Sequence, residues 1–186
     1  MFMDQLSRSL WQKAGPNRRA AFFGCFAAGY LGHLYAFTNL IPNSDGLSRV
    51  FDPQQMTVSG RWFLHYASSL NDFTQMPALI GLLSVLFLSL AAALAVDVLE
   101  LRSRTLSALT GAVMALFPCV GYTFLYLFTA SAYCLAIFLA VLSVWLARKG
   151  RVRWLLGAVA LALAMGTYQA YTTVAIALSL LVVLGR

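Results

Sequence analysis

The sequence predicts an all-α polytopic membrane protein, a bundle of about six transmembrane helices, and three observations predict it. Hydrophobic residues make up 61% of its 186 and charged residues only 10%, with a mean hydropathy of +0.78. A soluble domain is about half apolar and about a quarter charged, so this chain lacks the residues for a water-facing surface. Second, the apolar residues gather into runs long enough to cross a bilayer, about 20 residues for about 30 Å of hydrocarbon. Third, the basic residues concentrate in alternate connections between those runs. The formal charge of +7 forms no arginine-rich or aromatic-interleaved patch, which argues against a nucleic-acid partner. Cys25, Cys119 and Cys134 sit inside apolar runs without metal-ligand spacing, and read as buried unpaired thiols.

The elements follow in order as one membrane domain over residues 1–186. Residues 1–19 form a cytoplasmic N-terminal segment. Its Met3, Leu6 and Leu10 recur at helical spacing, as in a helix lying along the inner membrane surface, although a basic tail accounts for them equally. The first span is 20–41. It is longer than the apolar core of a signal peptide and has no small-residue cleavage site, so it reads as retained. Its one ionisable group, His33, is expected to bond a neighbouring backbone or hydroxyl group. Spans follow at 77–96, 106–128 and 130–147. The last apolar stretch, 154–184, would be about 46 Å long as one helix. Gly166-Thr167-Tyr168-Gln169-Ala170-Tyr171 interrupts it with polar side chains. Two short helices, 154–165 and 171–184, make six spans; one long tilted helix, making five, is the alternative.

Orientation follows from charge. With the N-terminus inside and the last stretch a hairpin that returns Arg186 to the same side, 11 of the 13 Lys and Arg residues are cytoplasmic and only Arg49 and Arg61 lie outside, as the positive-inside rule predicts. The one substantial polar loop, 42–76, is then extracytoplasmic. It holds Asp45, Asp52 and Asp72, half of the six acidic residues, together with His65. Asp52-Pro53 has the form of a helix start. From Ser59 onward, Arg61, His65, Ser68 and Asp72 recur at steps of four, three and four, opposite Trp62, Phe63, Tyr66 and Leu70. That spacing predicts an amphipathic helix in the outer interface, aromatic face to lipid and polar face to water or a protein cavity. A surface connector with no further role fits it too.

Three short motifs carry a resemblance. Asn39-Leu-Ile-Pro-Asn43-Ser-Asp45, then Ser59-Gly60-Arg61-Trp62, then Gly166-Thr167-Tyr168-Gln169-Ala170-Tyr171 stand in that order, each at an outer-surface position. The chain resembles the Gtr family (type II) of bacterial O-antigen glucosyltransferases. The resemblance implies a GT-C type glycosyltransferase of the bacterial inner membrane, multi-pass, with its active site between the first outer loop, here periplasmic, and the outer helix ends. It also implies a polyprenyl-phosphate-linked donor, typically of glucose, and a glycan acceptor. Two departures stand out. Asp45 is followed by Gly46 where the family often pairs acidic residues, and such enzymes usually carry more spans and a C-terminal portion. The chain therefore reads as an N-terminal portion, a truncated relative or a half that needs a partner subunit.

The chemistry of such a transfer assigns roles to these residues. An acceptor hydroxyl loses its proton as it attacks the anomeric carbon, so one carboxylate near the donor serves as general base. Asp45 is the candidate, and an Asn-Ser-Asp-Gly turn is its plain structural reading. The departing lipid phosphate needs positive charge. Arg61 is the first candidate and Arg49 the second, because guanidinium matches phosphate bidentately. Trp62, Tyr168 and Gln169 are the substrate-binding candidates; the last two could instead satisfy backbone groups where the helix breaks. The sequence fixes no cofactor; a divalent cation such as Mg or Mn on Asp45 could share the charge. A small transporter or lipid flippase would share the interrupted helices. It would also carry ionisable residues inside the spans, and only His33 is there. A non-enzymatic assembly subunit is the other alternative.

Overall fold

The computed structural model describes residues 14–41, 59–72 and 76–185, and all regular structure among them is helical. The chain runs through α1 (Pro16–Gly32), α2 (Leu34–Thr38), α3 (Leu64–Asp72), α4 (Pro77–Val98) and α5 (Arg104–Leu116). It continues through α6 (Pro118–Thr123), α7 (Leu127–Ala147), α8 (Arg151–Thr167), a 3-10 turn (Gln169–Tyr171) and α9 (Thr172–Leu184). The expected N-terminal surface helix lies outside the described residues.

Local chemistry sets the boundaries. Proline opens α1, α4 and α6, where its missing N–H needs no partner. Ser103 caps α5, its hydroxyl accepting from the Leu106 N–H at 3.3 Å. The first expected helix starts earlier, at Pro16, and breaks at His33. There the imidazole Nε2 lies 2.9 Å from the Ala115 carbonyl. A carbonyl only accepts, so that nitrogen carries the proton. The ring also packs against Phe124, with centroids 4.7 Å apart. His33 thus ties a helix break to the last turn of α5.

The expected helix over 106–128 is two helices. Pro118 cannot continue the ladder from α5 and holds Phe117 in extended backbone, φ −61°, ψ 136°. The short α6 and a turn follow, and α7 begins at Leu127, ahead of the expected Ala130. The stretch 154–184 divides at its polar interruption. Tyr168 leaves helical backbone altogether, at φ −158°, ψ 113°.

Packing centres on α7, which contacts α3, α4, α8 and α9, while α1 lies between α4 and α5. Glycines let α1 and α5 meet closely: a Cβ on Gly24 would strike the Ala108 carbonyl, and one on Gly111 the Ala21 carbonyl. Both obstacles are backbone and cannot swing aside. Gly111→Ala is therefore expected to destabilise the bundle by about 1–3 kcal/mol, read as a lower melting temperature in detergent.

Small polar side chains enter the core while large apolar ones remain outside. Ser84, Ser89 and Ser107 are buried and donate to carbonyls one turn back, Ile80, Val85 and Ser103, at 2.7–2.8 Å. Leu106, Leu109, Val113 and Leu116 form an exposed stripe along α5. Among the described residues two helices, α4 and α7, are long and apolar enough to cross a membrane.

An ionic cluster marks one end of the bundle. Asp97 pairs with Arg18 at 2.5 Å, accepts from the Trp145 indole N–H at 2.5 Å and lies 3.9 Å from Lys149. Arg18 and Lys149 also sit over the Trp145 ring, at 5.8 and 5.1 Å from its centroid. Beside it, Arg148 pairs with Glu100 at 2.6 Å. Cys25 and Cys134 are buried as expected; Cys119 is exposed, a correction that follows from its place on the short α6.

Candidate functional site

At the other end of the bundle, two chain segments far apart in sequence are fastened together. The first, Ser59–Phe63, is not helical. Gly60 turns it through φ +72°, a left-handed conformation that glycine adopts without strain. That turn corrects the expected helix from Ser59: the helix begins only at Leu64, and Arg61 stands in the turn before it. The second segment is the break between α8 and α9, where the chain leaves the helix at Tyr168 and the Gly166 carbonyl loses its intrahelical donor. The Phe63 N–H takes over that role, donating to the Gly166 carbonyl at 2.7 Å. The Gln169 side-chain amide donates to the Ser59 carbonyl at 3.4 Å. A Cβ on Gly60 would lie 2.7 Å from the same Gln169 nitrogen. Finally, the Trp62 indole lies flush on Gly166, where a Cβ would come within 2.7 Å of its ring nitrogen.

The joint presents one cation on an aromatic platform. The Arg61 guanidinium lies over the Tyr168 ring, 4.5 Å from the centroid. Tyr133, from the second turn of α7, stacks on Tyr168 at 4.9 Å, and Tyr171 meets both rings edge-on at 5.5 and 5.9 Å. The Arg61 cation thus stands against an aromatic face, and its planar guanidinium is the group that matches an oxyanion bidentately. Arg61 is half-buried and Trp62 is 53% exposed, so the site opens outward on its tryptophan side.

The helix α3 anchors this arrangement to the core. Its buried face is Leu64, Ser68 and Asn71, packed on α7. Asn71 accepts from the Ser131 hydroxyl at 2.9 Å, and its amide lies 3.5 Å from the Leu127 carbonyl. The expected polar face is corrected here. Ser68 points into the protein while His65 and Tyr66 are exposed, because the inward face is built from small polar groups that meet α7. The side chains of Leu70 and Asp72 lie outside the described set. The Ser68 hydroxyl has no hydrogen-bond partner among the described residues.

Of the site residues read from sequence, Arg61, Trp62, Tyr168 and Gln169 come together. Asp45 and Arg49 lie outside the described residues, as do Asp52 and most of the first motif. The described part of that motif ends α2: the Asn39 amide donates back to the Tyr35 carbonyl at 2.9 Å. Among the described residues no group of three or more His, Cys, Asp or Glu side chains could hold a metal ion. Sequence reasoning missed Tyr133 altogether. Its one signal is a tyrosine beside Thr129 and Ser131 in a mostly apolar helix, at the end nearest the polar loop.

A family model described as "Glucosyl transferase GtrII" matches residues 34–186. No curated protein and no solved structure matches the chain.

Proposed function

The chain belongs to the GtrII glucosyl transferase family, and on that premise we propose that it transfers glucose from a polyprenyl-phosphate donor to an extracytoplasmic glycan such as O-antigen. The reading includes a GT-C type architecture of six spans in a bacterial inner membrane, with the N-terminus cytoplasmic and residues 42–76 periplasmic. Two features support that placement. The helices bear an outward apolar stripe, and the ionic cluster around Asp97, with Arg18, Arg148 and Lys149, occupies the end of the bundle opposite Arg61.

The observation that carries the function is the guanidinium of Arg61 fixed on Tyr168, at the point where two of the three family-like motifs are joined. In the proposed reaction an acceptor hydroxyl oxygen attacks the anomeric carbon of the donor. Asp45 takes the hydroxyl proton as the new glycosidic bond forms. The bond from the anomeric carbon to the phosphate oxygen breaks, and the lipid phosphate leaves with the electron pair. Arg61, with Arg49 beside it in role, stabilises the charge on the departing oxygens. The open side of Trp62 offers an aromatic face to the sugar ring, and the Tyr168 hydroxyl and Gln169 carboxamide oxygen are hydrogen-bonding groups for its hydroxyls.

The test is reconstitution of the full chain in liposomes with polyprenyl-phosphate glucose and an O-antigen acceptor. Glucose is expected to pass to the glycan with release of polyprenyl phosphate. Failure to bind or use the lipid-linked donor, or transfer from a nucleotide sugar alone, would overturn the reading.

Gly166→Ala gives a more local check. The added methyl pushes the Trp62 ring away while adding helix propensity to α8 of about 1 kcal/mol. Transfer is expected to fall about tenfold without a lower melting temperature. An unchanged rate would mean that the seat of Trp62 has no part in the reaction.

A further inference from the structure

Tyr168 is an unusual support for a catalytic cation, because nothing in its own backbone fixes its ring. It sits in extended conformation between α8 and the 3-10 turn, so no helical neighbour restricts its rotamer. Its ring is held by its surroundings: Arg61 at 4.5 Å, Tyr133 at 4.9 Å and Tyr171 at 5.5 Å. Tyr171 belongs to the same turn as Tyr168 and packs against the core. Tyr133 comes from a separate element: it rises from α7, the central helix, between the buried Ala132 and Cys134.

We infer that Tyr133 is a positioning residue for the transfer, acting through Tyr168 to orient the Arg61 guanidinium toward the donor phosphate. The inference rests on the function proposed above. The hydrogen bonds that join the two segments, from the Phe63 N–H to Gly166 and from the Gln169 side chain to Ser59, do not involve Tyr133. Removing its ring therefore leaves the Arg61 backbone where it is. The loss falls on side-chain orientation: Tyr168 gains a vacated volume to turn into, and the guanidinium loses the plane that aims it. Arg61 acts on charge that appears as the phosphate departs, so the effect belongs to kcat and not to donor KM.

The experiment compares Tyr133→Phe, which keeps the ring, with Tyr133→Leu, and with Tyr133→Met should the leucine variant fail to fold. On donor-free protein, modification of Arg61 by phenylglyoxal, followed by mass spectrometry, is expected to quicken in the ringless variant and stay at the wild-type rate in Tyr133→Phe. In the transfer assay Tyr133→Leu is expected to lower kcat about fivefold, the value of one aromatic pair, with donor KM little changed. Placed on Arg61→Ala, it should lower the rate no further. Unaltered Arg61 modification, or additive losses in the double variant, would overturn the positioning role. A wild type that transfers no sugar, yet shows Tyr133-dependent Arg61 modification, would overturn the glucosyl-transfer reading and with it the role in transfer, leaving only the hold of Tyr133 on the Arg61 side chain.

Discussion

Asp45→Asn is expected to lower kcat by about 10²- to 10⁴-fold, the usual contribution of a general base, while donor KM stays close to the wild-type value. Asparagine is chosen because it separates the two roles open to this residue. Asn makes an Asx turn as well as Asp does, so a residue that only shapes the Asn43-Ser44-Asp45-Gly46 turn would tolerate the change. A base would not, because a carboxamide cannot accept the proton of the attacking hydroxyl. Equal transfer by Asp45→Asn and wild type would show that Asp45 is not the base.

The parts of the fold legible in the sequence were those that local chemistry dictates. Gly166–Tyr171 could be seen as a break because a polar cluster in an apolar run has no solvent to satisfy it unless the backbone turns there. Pro118 carried an equally strong stop signal, yet apolar residues continue on both sides and the hydropathy of 106–128 concealed it. The helix from Leu64 shows another limit. Arg61 fell into phase with His65 and Ser68 by spacing alone, and nothing in that spacing weighs a positive-φ glycine at position 60 against helical continuation. The polar face was misjudged at Ser68, which is polar by type yet buried where α3 packs on α7. Asn71 on the same buried face meets Ser131 of α7, a partner chosen by tertiary packing. The same is true of Tyr133 on Tyr168 and of Trp145 on Asp97: each joins residues from separate helices, and no periodicity within one helix encodes the meeting. Arg61, Trp62, Tyr168 and Gln169 were found by motif, and their convergence is what the three-dimensional arrangement adds.

Arg61→Ala is expected to reduce kcat by about 10²- to 10³-fold, comparable to removing a donor from an oxyanion hole, and Arg61→Lys to recover only part of it. The lysine variant is the more informative of the two. Lysine keeps the charge, so any role that needs only a positive potential near the phosphate would survive. What it lacks is the planar fork and the flat face that lies on Tyr168. An ammonium 4.5 Å from the same ring would still be attracted to it, but as a point charge whose hydrogen bonds have no fixed direction. A large residual defect in Arg61→Lys therefore identifies orientation, not charge, as the contribution of the Tyr168 platform. Full recovery by lysine would reduce the platform to a packing contact and leave Arg61 as a diffuse electrostatic aid. The measurement is kcat and donor KM for both variants in the same liposomes, with melting temperatures to show that the joint between Phe63 and Gly166 has held.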